Sequence, residues 1–205
     1  MKIRKLLVLH IAFIYILTVA SFAGAAVAPT DELKTSIDSM LEVLRDKNMG
    51  QPDKKEERRS KISALIRDRF DFKEMARRSL AANWKKRSSE EKKEFVRIFS
   101  DLLQSSYIGK IEGYTDEKIT YDKEVIKKEG KYAVVSTTIV TKDVNIPIDY
   151  KLIFKKDKWW VYDVVVEGVS FISTYRSQYA KVIKKESYVK LIEKMKTKLD
   201  EINAL

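Results

Sequence analysis

Cysteine is absent from the 205-residue chain, and the one histidine, His10, sits close to the amino terminus. Without thiols there is no disulfide, no thiolate metal site and no thiol nucleophile. The lack of histidine beyond residue 10 also removes the Ser-His-Asp triad, the Cys-His pair and the usual zinc ligand sets. Glycine and proline are scarce, at 6 and 3. Gly109, Gly113, Gly130 and Gly168 stand too far apart for either glycine-rich nucleotide fingerprint, so no nucleotide cofactor is expected. No apolar run reaches the roughly 20 residues that a membrane-spanning helix needs.

What the chain does have is a charged, then apolar, then small-residue opening: Lys2, Arg4 and Lys5, the run Leu6 to Ala20, and Ala23 to Ala26. That order is expected of a secretory signal peptide over residues 1–26, cleaved after Ala25 or Ala26. The remaining residues 27–205 are expected to form one domain with a substantial core. Basic residues exceed acidic ones by 41 to 30. Losing the three opening cations lowers the formal charge from +11 to about +8, still strongly basic. For an exported chain the matching surface is anionic lipid or an acidic partner, and nucleic acid is not expected. Interspersed runs such as KKEERRSK (54–61) also serve plain solubility.

The stretch WWVYDVVVEGVSFISTYR (159–176) organises the rest. Aromatic and β-branched residues crowd its first half, as on a pleated surface buried on one side. After Gly168 the apolar spacing becomes helical, through Ile172, Tyr175, Tyr179, Val182 and Ile183. Upstream, helical periodicity runs in segments from about 30 to 114, with Asp53/Glu56, Asp71/Glu74 and Ser88/Glu91 spaced as capping pairs. The segment opened by Ser88 is the longest, on the order of 36 Å. Between about 117 and 167 the period is two, in four segments joined by short links, which predicts an antiparallel meander. In the third, Ile146, Ile148, Tyr150, Leu152 and Phe154 share a face. Helices over about 170–203, with Ser187 as a cap, close the chain. The expected architecture is α+β: one curved four-stranded sheet with the long helix across its concave face.

Carboxylate chemistry has one candidate pair, Asp163 and Glu167, on one face of the last strand. Four residues of extended chain separate them by roughly 13 Å, beyond the spacing of either glycosidase class. A hydrogen-bonding role for Asp163 is the simpler reading. From pattern alone the aromatic and aliphatic faces read first as filled core and only second as the wall of an apolar cavity, because pattern cannot register a hole.

Three segments carry a resemblance: FDFKEMARRSLAANW (70–84), EEKKEFVRIFSDLLQSSYIGKIEGY (90–114) and WWVYDVVVEGVSFISTYRSQY (159–179). In this order they resemble the MlaC family, also called the toluene-tolerance family, the periplasmic phospholipid-binding component of the Mla pathway. YDVVVEGVS is the most specific of the matches. The resemblance implies an NTF2-like α+β fold and a deep cavity for acyl chains, with phospholipid as cargo. It also implies travel between an outer-membrane lipoprotein complex and an inner-membrane ABC transporter.

Carried over by position, it implies tail contacts from Leu80, Trp84, Phe99, Leu103 and Tyr107 on helices, and from Val134, Ile148, Tyr150, Leu152, Trp160, Tyr162 and Val164 on strands. Val169, Ile172 and Tyr175 follow Gly168. Arg176, Lys181, Lys184 and Lys185 are expected to meet headgroups or docking partners. No metal, no resident cofactor and a monomeric state are expected. Two other readings stay open from residues alone: an NTF2-like isomerase or hydrolase using Asp163 and Glu167, and a structural adaptor with a filled core.

Overall fold

The computed structural model describes residues 27–114 and 117–204; the expected signal peptide lies outside the described residues. Pro29 opens α1 (Pro29–Arg45) at a position where its missing N–H is not needed. A 3-10 turn, Pro52–Lys54, leads into α2 (Lys55–Arg69). Asp53 does not cap this helix, contrary to its spacing with Glu56. Pro52 diverts the chain into the 3-10 turn, Asp53 falls inside it, and Lys54 occupies the N-cap without a side-chain bond.

The other caps form as their spacing predicts. Asp71 accepts the Glu74 N–H at 2.9 Å and starts α3 (Phe72–Leu80). After a second 3-10 turn, Ala81–Lys86, Ser88 and Glu91 satisfy each other's backbone N–H at 3.1 and 2.7 Å and start the 24-residue α4 (Ser89–Glu112).

The sheet runs β1 (Lys118–Lys127), β2 (Tyr132–Val140), β3 (Asn145–Lys155), β4 (Lys158–Val166) and β5 (Val169–Ser170), each antiparallel to the next. The four expected strands are therefore joined by a fifth, two residues long. It folds back on β4 through Glu167 and Gly168, both at positive φ (49° and 80°), the twist that a two-residue hairpin needs.

Two bulges interrupt the period. Asp122 is the extra residue in β1 and Tyr162 the extra residue in β4. From Asp163 onward every β4 side chain changes face, so Trp160 and Tyr162 point away from Val164 although all three share one parity. The sequence expectation of one inward row through 160, 162 and 164 is corrected on this point. α5 (Phe171–Lys185) and α6 (Tyr188–Asn203) follow, capped by Ser170 and Ser187.

Three apolar clusters hold these elements. Phe95, Phe99, Leu102, Leu103, Ile172, Tyr179 and Leu191 fill the first, between α3, α4, α5 and α6. The second lies between α1 and one face of the sheet, around Leu33, Ala133, Val135, Leu152, Trp159 and Val161. Ile62, Ile66 and Ile108 make a smaller third between α2 and α4. Phe70 packs against all three. The Phe70–Asp71 segment also pairs with Val161, whose carbonyl accepts the Asp71 N–H at 2.9 Å, so part of the β4 edge is covered. α1 lies across β1, β2 and β4, while α3 and α5 also pack on β4; α4, expected across the concave face, packs mainly against α3 and α6.

Buried polar groups fix how the layers meet. Arg69 donates to Ser36 Oγ (2.7 Å), to the Trp159 carbonyl (2.6 Å) and to Glu32, joining the end of α2 to α1 and β4. Asp163 accepts from Ser170 Oγ (2.7 Å), the Ile172 N–H (3.1 Å) and Lys151 Nζ (3.0 Å), and so ties the β4–β5 turn to the first turn of α5. Glu74 is buried, which by itself would raise its pKa. Hydrogen bonds from Arg77 and Arg78 and the charge of Lys155 outweigh burial and hold it at about 2, against an ordinary 4.5.

Removing the guanidinium in Arg69→Ala leaves the half-buried Glu32 with only the Trp159 N–H (3.2 Å) as a donor, and is expected to lower the unfolding free energy by about 3 kcal/mol in urea titration. Breaking the exposed Lys34–Asp38 pair with Lys34→Ala should change it by less than about 1 kcal/mol. The depressed Glu74 pKa contributes stability that is full above about pH 4.5 and is lost as pH falls toward 2. Allowing for the half-exposed Arg77 partner, the amount is about 2 kcal/mol. Glu74→Gln should flatten the fall of the urea midpoint across this pH interval; an unchanged acid profile would refute the assignment.

Candidate functional site

The site grows out of the sheet face beneath α1. Register places Ala133, Val135 and Thr137 of β2 opposite Leu152, Tyr150 and Ile148 of β3, which in turn stand opposite Val161, Val164 and Val166 of β4. Tyr121 of β1 joins the row beside Thr137. Along β3 the burial falls steadily: Leu152 is fully buried, whereas Tyr150 and Ile148 are only half-buried. Val166 and Phe171, beside them, are also half-buried, as is Ile37 on α1 above. Between helix and sheet the side chains are therefore most deeply buried at the Leu33–Trp159 end and more accessible at Tyr150 and Ile148, toward the β2–β3 hairpin.

Arg69 and its partners sit at the deeply buried end, with Thr30 donating to Glu124 at 2.6 Å and Trp159 Nε1 to the Val27 carbonyl at 3.1 Å. Each bond anchors the first turns of α1 to the sheet. Toward the other end, Arg45 of α1 lies 5.9 Å from the ring centre of Tyr114.

The tyrosines report the environment of the more accessible half. Tyr150 keeps some accessible surface, yet burial alone pushes its pKa up to about 12. Tyr121 is raised as well, by burial first and then by the nearby Asp38 and Tyr150 charges. Its buried hydroxyl finds no hydrogen-bond partner among the described residues. A side wall is made by Tyr107 of α4 stacked on Phe171 at 4.7 Å, with Tyr175 nearby. Burial raises Tyr107, and pushes Tyr175 up to about 12. Greasy walls with a few phenolic hydroxyls suit a long apolar guest that carries some polar atoms.

The residues expected from sequence divide among three places. Ile148, Tyr150, Leu152 and Val164 belong to the sheet face. Leu80, Phe99, Leu103 and Ile172 are buried in the helical core, where Phe99 meets the rings of Phe95, Tyr175 and Tyr179; Trp84, Tyr107, Tyr162 and Tyr175 pack at its margin. The others do not face the cleft. Val134 stands opposite Lys151 on the far side of β2, because its alternate neighbours Ala133 and Val135 are the buried ones. Ahead of the face change at Asp163, Trp160 and Tyr162 are on that far side too, Trp160 bonded to the Lys155 carbonyl and Tyr162 beneath the Arg78 guanidinium at 4.0 Å. Val169 is 59% exposed, since β5 is a two-residue edge strand with nothing beyond it.

Sequence reasoning missed Tyr121, Val166, Phe171 and Ile37. Tyr121 and Ile37 had the right period but stood in segments without the family motifs. Val166 could be assigned a face only once the bulge was known.

Asp163 and Glu167 are not brought together. Asp163 is enclosed by its three donors, while Glu167 is exposed in the turn. Arg176, Lys181, Lys184 and Lys185 all lie on the exposed side of α5, with Arg176 bonded to the Arg78 carbonyl at 3.1 Å. Among the described residues no cluster of three or more metal-ligating side chains exists, and no helix is long and apolar enough to cross a membrane.

Comparison with known proteins places this geometry. A solved structure from Ralstonia solanacearum, a phospholipid-binding protein in complex with a phospholipid, superposes with a TM-score of 0.75 at 22% identity, over 86% of this chain and 99% of that one. It is alike in fold. The Haemophilus influenzae intermembrane phospholipid transport system binding protein MlaC is 24% identical over 120 residues, 57% of this chain. The match spans 56% of that relative's length, little more than half. The family model described as MlaC protein matches residues 34–197, from α1 to the middle of α6. By the extent of that match, which takes in every strand and the helices around them, the chain belongs to the MlaC family.

Proposed function

We propose that the chain is a periplasmic phospholipid-binding shuttle, not an enzyme, whose cleft between α1 and the sheet holds acyl tails while the headgroup stays in water. The observation that carries this reading is the half-open row Tyr121, Ile148, Tyr150 and Val166, greasy side chains left accessible inside the fold. A phospholipid with two long chains has on the order of 30 methylenes, so exposing them costs up to ~24 kcal/mol at about 0.8 each. Free diffusion of the lipid across water is negligible, and a pocket that replaces the bilayer lowers that barrier without any catalytic group. The engagement of Asp163 by Ser170, Ile172 and Lys151 argues against the isomerase or hydrolase reading.

The names of the Haemophilus and Ralstonia proteins support the same cargo. In this reading a signal peptide over 1–26 exports the chain. The monomer travels between an outer-membrane lipoprotein complex and an inner-membrane ABC transporter, and Arg176, Lys181, Lys184 and Lys185 meet headgroups or those complexes. The lipid is cargo, with no resident cofactor. Of the tail contacts expected from sequence, Ile148, Tyr150, Leu152 and Val164 are retained, with Tyr107 and Tyr175 at the side wall.

Mass spectrometry of the protein purified from envelopes is expected to find bound phospholipid. Ile148→Trp, which fills the cleft, should cut the lipid-to-protein ratio at least about twofold with the fold intact by circular dichroism. Leu103→Ala, in the helical core, should instead cost about 2 to 5 kcal/mol of stability and leave the ratio unchanged in the folded fraction. Lipid-free wild-type extracts, or a full load in Ile148→Trp, would overturn the reading. Tyr121→Phe removes a buried hydroxyl without a partner and should stabilise the delipidated chain by about 1 kcal/mol, read from the urea midpoint.

A further inference from the structure

A second concave surface, an open groove of about 620 Å³, lies on the amino-terminal half of α4, where α2, α3 and the Ala81–Lys86 turn come together. Val96 in this groove and Tyr107 at the cleft are 11 residues apart on one helix, about 16 Å along its axis. Phe72, Trp84 and Val96 give the groove an apolar floor. Around them stand Arg67, Lys73, Lys92, Lys93 and Arg97, against one lining carboxylate, Asp101. Asp101 is already engaged by Arg67 at 3.4 Å. Lys92 lies 5.8 Å from the Trp84 ring centre. Lys73, Lys93 and Arg97 are exposed, and among the described residues none of them has a salt bridge.

The groove therefore gathers five cations around one carboxylate that is already paired. A second observation concerns the turn that presents Trp84. Ala81 adopts φ 48° and ψ −122°, a region that L-residues avoid at a cost of order 1–3 kcal/mol. The chain turns there against its backbone preference, and the indole comes to rest beside the lysines.

Cations around an apolar floor are complementary to a segment with carboxylates around an apolar side chain. A concave surface is filled by an inserted segment and is a poor match for a flat bilayer. A second copy of this chain would bring its own excess of positive charge. We propose that this groove docks an acidic segment of a partner protein, with one apolar or aromatic side chain on Trp84 and neighbouring carboxylates at Lys73, Lys93 and Arg97. Docking there would leave the cleft on the other half of α4 free.

The test uses a short fluorescein-labelled peptide of Asp, Glu and Ser with one central Leu, titrated with the mature chain in fluorescence anisotropy. Lys73→Glu, Lys93→Glu and Arg97→Glu together are expected to weaken binding at least about tenfold. The same charge change at the exposed Lys55, Lys127 and Lys142 should weaken it less than about threefold through long-range attraction alone. Replacing the central Leu with Ser should cost a further several-fold. Circular dichroism checks the fold, and Lys73→Gln, Lys93→Gln and Arg97→Gln serve as the milder set should charge reversal unfold the chain. Equal losses from the two triple reversals, or no loss on removing the Leu, would overturn the proposal. So would anionic phosphatidylglycerol vesicles that bind through Lys73, Lys93 and Arg97 while the peptide does not. The bound-lipid ratio of the groove variant is expected to match wild type, so failure here is separable from failure of the cargo reading.

Discussion

A buried guanidinium decides where the layers of this protein meet. Arg69 brings one positive charge to the point where α1, the end of α2 and the start of β4 converge, and Glu32, Ser36 and the Trp159 carbonyl receive its protons. Burying such a pair yields little net stability compared with apolar residues of the same volume. Its effect is directional. An apolar contact tolerates sliding by a few ångströms, whereas a fork of charge-assisted hydrogen bonds accepts one arrangement. The amino-terminal turns of α1 are thereby fixed to the sheet, and the side chains under the helix are most deeply buried at that end.

The two large apolar clusters are built differently, and the difference follows from this anchoring. Between the helices, aromatic rings of Phe95, Phe99 and Tyr179 meet edge to face or stacked, at 5.8 to 6.4 Å, and the cluster is filled. Under α1 the packing is tightest at the anchored end, and Tyr150 and Ile148 stay half-buried although burial raises the Tyr150 pKa. Filled space gives stability, and unfilled space gives capacity. The division of the fold into a packed helical half and a more accessible sheet face is what allows the proposed cargo to enter without unfolding the core.

Much of the architecture could be read from local pattern, and the misreadings have definite causes. Ser88 with Glu91, Asp71 with Glu74 and Ser187 were legible as caps because a cap depends on residues within one turn. Asp53 had the same spacing and failed, since Pro52 imposed a tighter turn upstream. In β3 the alternating row was right; in β4 the same arithmetic put Tyr162 and Val164 on one face, and a bulge separated them. Val134, carried over by position from the resemblance, lies in the apolar run Ala133 to Val135, where alternation gives no preference between faces.

By itself the sequence determined the order of helices and strands, the antiparallel meander, the basic surface and the absence of thiol and histidine chemistry downstream of His10. These depend on composition or on neighbours a few residues apart. Tertiary structure alone decided which apolar residues are packed solid and which line a cleft. It also brought Arg69 to Glu32 and Trp159, and gathered Lys73, Trp84 and Arg97 around one groove. The physical reason is that burial and accessibility are properties of what stands opposite a side chain, and for these residues the opposite wall comes from distant parts of the chain.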